Sequence, residues 1–158
     1  MRQMLSRGLV IAGMLTVPST LTQSELPTAK AEYKNDPRLQ SLKKFFQAGD
    51  CPAQDFPEEF LRAADRHNLD WRLLPSISLV ESGGGRDARN NNLFGWDGGK
   101  AVFTSVRAGI HDVADRLENS KIYRDKGTDG ILRLYNPKES YPGVVKSVMR
   151  RISPSEKL

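Results

Sequence analysis

One stretch, Leu73 to Trp96, constrains this chain more than any other: LLPSISLVESGGGRDARNNNLFGW. Leu73, Leu74, Ile77, Leu79 and Val80 are distributed almost all round a helix, so that helix belongs in a core rather than on a surface. Gly83, Gly84 and Gly85 then end it and leave no side chains above its last turn. Glu81 stands at that end. A carboxylate at the negative pole of a core helix, with apolar neighbours and open space above it for a bulky ligand, is a candidate general acid.

The chain has 158 residues and is 38% hydrophobic, enough for one modest core. Arg2 and Arg7, the apolar run from Gly8 to Val17, and Ala29-Lys30-Ala31 follow the order of a secretory signal peptide cleaved after Ala31. The apolar run is short for a membrane span, so a retained anchor is the weaker alternative and no stable membrane insertion is expected after cleavage. Removing residues 1–31 takes away three basic residues and one acidic one, which lowers the net charge from +5 to +3. That balance suits an anionic polymer or an envelope surface but forms no block or stripe of the kind nucleic acid requires. Cys51 is the only cysteine, so no internal disulfide can form.

In chain order, residues 32–56 form an N-terminal tether and a helix, residues 57–152 the main domain, and residues 153–158 a tail. Asp36-Pro37 opens the first helix, which runs to about Gln47 with Leu39, Leu42, Phe45 and Phe46 inward. A second helix spans about Pro57 to His67, and Asp70 leads into the central one. Leu93–Trp96 and Lys100–Phe103 around Asp97-Gly98-Gly99 read as a small β-hairpin. Thr104 caps a fourth helix carrying Val106, Ile110, Val113 and Leu117. A short helix after Thr128 carries Ile131, Leu132 and Leu134, and a last helix from about Tyr141 to Ile152 buries Val144, Val145, Val148 and Met149. The expected class is mainly α, with about six helices and one hairpin.

Val80-Glu81-Ser82-Gly83, Asn91-Asn92-Leu93-Phe94-Gly95-Trp96 and Tyr135-Asn136-Pro137 followed by Tyr141 together resemble the glucosaminidase-domain family of bacterial peptidoglycan hydrolases. That family is found in flagellar muramidases and autolysins, with the lytic transglycosylases as cousins. The resemblance covers about Pro57 to Ile152 and implies a lysozyme-like fold, no cofactor, and the glycan strands of peptidoglycan as partner. It casts Glu81 as the acid that protonates the glycosidic oxygen and Tyr135 as the active-site tyrosine. Ser82, Asn92, Phe94, Trp96 and Asn136 then border the acid or shape the sugar cleft. Each has a plainer reading: Ser82 as a helix-end cap, Asn92 as a turn residue, Phe94, Trp96 and Tyr135 as packed aromatics.

The departure from a two-carboxylate glycosidase is the second acid. Inverting and retaining enzymes hold their carboxylates roughly 6.5–9.5 Å or 5–5.5 Å apart, and this chain offers only Asp97 in a turn, with Asp87 and Asp112 no better placed. Either a substrate acetamido group takes the nucleophile's part, which makes the protein a β-N-acetylglucosaminidase, or a single acid/base forms an anhydro sugar as in a lytic transglycosylase. A third possibility is a glycan-binding or assembly protein on the same fold without turnover. His67 and His111 lack metal-ligand spacing, so no metal is assigned. Export predicts that N-terminal sequencing of secreted protein begins at Glu32; a full-length cytoplasmic product would refute it.

Overall fold

The computed structural model describes residues 33–156, and the expected signal peptide lies outside them. Among the described residues six helices carry the fold: α1 (Pro37–Gly49), α2 (Pro57–Arg66), α3 (Leu73–Ser82), α4 (Val106–Asn119), α5 (Thr128–Tyr135) and α6 (Tyr141–Ile152), with one 3₁₀ turn at Pro52–Asp55. The mainly helical class is as the sequence indicates.

α3 runs through the middle. It packs on α6 and α2, α2 packs on α4, α1 lies against α2 and α6, and α5 rests on α6. Leu73, Leu74, Pro75, Ser76, Ile77 and Ser78 are all buried, as expected of a helix with no polar face. Pro75 lies in the first turn, where backbone N–H groups have no partner in the helix, so its missing donor costs no hydrogen bond. Around α3 the largest fully buried side chains are Phe46, Phe60, Phe94, Leu42 and Leu61. Each contributes roughly 1.5–3 kcal/mol by leaving water.

α1 starts where expected. Asp36 caps it by accepting from the Arg38 amide at 2.8 Å, and the hydrogen bond from the Arg38 guanidinium holds the Asp36 carboxyl below the usual aspartate range. Leu39, Leu42 and Phe46 bury α1 in the common core. The segment before it is more than a tether: Tyr33 is buried and its hydroxyl donates to Asp65 Oδ2 at 3.0 Å. The tail is tied down as well, since Trp71 Nε1 donates to Glu156 Oε2 at 3.0 Å and buried Arg72 donates to the Glu156 carbonyl at 3.1 Å.

The hairpin does not form; no strand occurs among the described residues. Asn90, Asn91, Gly95, Asp97, Gly98 and Gly99 all adopt left-handed backbone conformations, whereas a paired ladder needs runs of extended residues on both sides of a two-residue turn. The segment curls into stacked turns, with Ala101 N–H bonded to the Trp96 carbonyl at 3.3 Å and Phe103 N–H to Asn90 at 3.0 Å. Three smaller expectations also change. Ser105, not Thr104, caps α4 through its hydroxyl, and Leu134 and Val144 are exposed.

The glycine break after α3 is tightly built. Gly84 N–H bonds to the Ser78 carbonyl at 3.0 Å, and the Gly84 carbonyl accepts from Ala53 N–H at 2.9 Å. Its φ is +69°, and a Cβ there would lie 2.6 Å from Cys51 Sγ. Gly143, near the start of α6, has open space where a Cβ would go. Gly84→Ala is expected to destabilise the fold by about 2–4 kcal/mol through left-handed strain plus overpacking. Gly143→Ala should stabilise it by about 0.5–1 kcal/mol. Urea denaturation of the two variants checks both signs, and an unchanged midpoint for Gly84→Ala would refute the close approach to Cys51.

Candidate active site

Glu81 sits in the last turn of α3, half-buried, where the helix breaks into the glycine turn. Its two carboxylate oxygens face different surroundings. Oε1 accepts a hydrogen bond from the Tyr141 hydroxyl at 2.6 Å. Oε2 faces the backbone of Gly95, so closely that a Cβ there would come within 2.8 Å of it. With φ at +61° and a carboxylate at that distance, only glycine fits this position without displacing the acid.

Tyr141 is the first residue of α6, and the packing of α6 on α3 brings its phenol to Glu81. Its ring stacks parallel to Tyr135, with centroids 6.1 Å apart and planes 3° apart. Tyr135 in turn meets the edge of Trp96 at 5.6 Å, and Trp96 meets Tyr123 at 6.2 Å. The Arg116 guanidinium lies 5.7 Å from the Trp96 ring. A continuous aromatic row thus leads from Tyr123 to the phenol that holds Glu81. Burial raises the Tyr141 phenol well above its ordinary range, followed by the hydrogen bond to Glu81. Tyr135 rises for the same first reason and then through the nearby Glu81 charge. Burial also raises Tyr123.

The expected site residues gather round this centre in unequal roles. Ser82 is buried, and its hydroxyl donates to the Leu93 carbonyl at 2.6 Å while accepting from Gly85 N–H at 3.0 Å. Asn92 is buried and grips Trp96 twice, accepting from its N–H and donating to its carbonyl, each at 3.0 Å. Phe94 is fully buried and packs edge-on against Phe60, which makes it core. Tyr135 donates to the Phe94 carbonyl at 2.6 Å, so its hydroxyl is committed to the turn rather than to Glu81. Ser82, Asn92 and Tyr135 therefore staple residues 92–96 into the shape that lays Gly95 on Glu81. Trp96 is half-buried within the aromatic row. Asn136 caps its own turn by accepting from Lys138 N–H at 3.1 Å and lines a cavity of about 250 Å³ with Arg133, Lys138 and Pro142.

The residue that the sequence reading left without a role is Tyr141. Its type and position were visible, a tyrosine at the start of an amphipathic helix, but nothing local says which partner that helix end faces. Of the remaining carboxylates, Asp97 lies in an exposed turn, Asp87 is exposed beside the glycine break, and Asp112 pairs with Arg116 at 3.0 Å.

The three raised phenols set an alkaline limit. Below about pH 10 they are neutral in both folded and unfolded chains and cost nothing. Above it the unfolded chain ionises them and the folded chain does not, so stability falls as pH rises. Ultraviolet titration of the folded protein should show at most one of the four tyrosines ionising before the chain unfolds; ionisation of all four in the native state at the ordinary value would refute the packing. No family model matches this chain, and no curated protein or solved structure matches it.

Proposed function

We propose that the protein is an exported glycoside hydrolase that cuts the glycan strand of peptidoglycan at N-acetylglucosamine, with Glu81 as general acid. The observation that carries this reading is the setting of Glu81 at the end of a core helix, one oxygen on a phenol and the other against bare glycine backbone. Such a carboxylate is held in a single orientation. Protonation of the glycosidic oxygen by Glu81 lets the C1–O bond break as the leaving sugar departs with the proton.

Positive charge then develops at C1, and the acetamido oxygen of the same sugar meets it by closing a five-membered ring. Water opens that ring, returning a proton to Glu81 and leaving a reducing N-acetylglucosamine end. This route needs one enzyme carboxylate, and it fits a site in which Asp97, Asp87 and Asp112 have other settings. Tyr141 holds the acid in place, Tyr135 and Asn92 hold the turn, and Trp96 packs against Tyr135 in the aromatic row.

Glu81→Gln should fold normally and lose about 100- to 10,000-fold in release of soluble products from purified cell wall. Tyr141→Phe should lose about tenfold or more, the worth of a hydrogen bond to a charged group, and Asp97→Asn should retain most activity. Mass spectrometry of the digest should find reducing N-acetylglucosamine ends. Anhydromuramyl ends would overturn the bond assignment, and full activity in a folded Glu81→Gln variant would make Glu81 structural.

A further inference from the structure

A cavity of about 750 Å³ lies away from Glu81, along the seam between α2 and α4. That is within the size range of small-ligand sites. Its walls are charged, and most of the charges are already matched. Arg62 pairs with Glu58 at 2.8 Å, while Glu59, nearly buried, takes Arg107 at 3.2 Å and His111 at 3.1 Å. The two pairs on Glu59 tie α4 to α2 and line the bottom of the groove with matched charge.

Two lining charges are left over. Asp55, just before α2, and Arg66, in its last turn, are both exposed, and neither side chain has an ion pair or hydrogen bond among the described residues. Asp55 ends the 3₁₀ turn two residues before α2, and α2 itself rises roughly 14 Å from Pro57 to Arg66 at 1.5 Å per residue. An extended peptide of about four residues has that length, at about 3.3–3.6 Å per residue. A second hollow of about 380 Å³ shares Arg66 and His111 and continues the groove along α4.

We propose that the α2–α4 groove binds a short zwitterionic peptide, its ammonium group at Asp55 and its carboxylate at Arg66. The two unmatched charges have opposite sign and sit at opposite ends, so they fix both the length and the direction of the ligand. The paired floor contributes little net charge and leaves the ends to discriminate. None of these residues belongs to the Glu81 site, and the inference stands independently of the glycosidase reading.

The test is an NMR titration of the full ¹⁵N-labelled chain with tetra-alanine bearing free termini. Amide shifts are expected to concentrate on α2 and the start of α4. Each of Arg66→Ala and Asp55→Asn should weaken binding about fivefold, the upper worth of an exposed ion pair, and about 25-fold together if the ends act independently. C-terminal amidation of the peptide should weaken binding to the parent protein and not to Arg66→Ala; N-terminal acetylation should do the same with respect to Asp55→Asn. Absence of saturable shifts, shifts centred on Glu81 and Trp96, or equal affinity for the doubly blocked peptide would each overturn the proposal. Glu81→Gln should leave this titration unchanged even if it abolishes wall cleavage, so the two readings fail separately.

Discussion

The hydrogen bond from Tyr141 to Glu81 joins the C-terminal end of α3 to the N-terminal end of α6. It forms because α3 is apolar enough to be buried along most of its length, which forces its one carboxylate out at the broken end, where α6 begins. A long side chain at a helix end in water samples many rotamers. Here a buried phenol on one oxygen and backbone on the other remove that freedom, and the cost of ordering falls on folding rather than on the encounter with a ligand.

The turn over Glu81 is held by side chains, not by a sheet. Ser82, Asn92 and Tyr135 each bond to backbone within residues 93–96 and substitute for the ladder that left-handed residues prevent. Residues of this kind look like ligand contacts in a sequence because they are polar, clustered and next to a carboxylate. Their burial shows that their first task is architectural: they satisfy backbone groups that would otherwise be left without partners inside the molecule.

The α2–α4 seam is organised differently. Two reciprocal pairs cross it, with His67 on Glu118 at 2.7 Å and His111 on Glu59 at 3.1 Å. Both histidines of the chain are thereby used in joining α4 to α2 and the residue that ends it. The aromatic row and the charged seam lie on different elements, so one small core supports two surfaces of distinct chemistry.

The sequence by itself determined the helices and the buried stripe of most of them. Apolar periodicity, Asp36-Pro37 and the triple glycine are local signals, and local signals survive whatever the rest of the chain does. It also marked Glu81, because a lone carboxylate on an otherwise apolar helix stands out in one dimension. What only the tertiary structure decided was the company Glu81 keeps. Tyr135 and Tyr141 are six residues apart and chemically identical, and only the docking of α6 on α3 sends the second hydroxyl to the acid and the first to the Phe94 carbonyl. The Asn-rich segment met the same limit. Apolar segments on either side of Asp97-Gly98-Gly99 suit a hairpin, but Asn90, Asn91 and Gly95 adopt left-handed conformations, and Ser82 and Tyr135 take the Leu93 and Phe94 carbonyls that a ladder would have used.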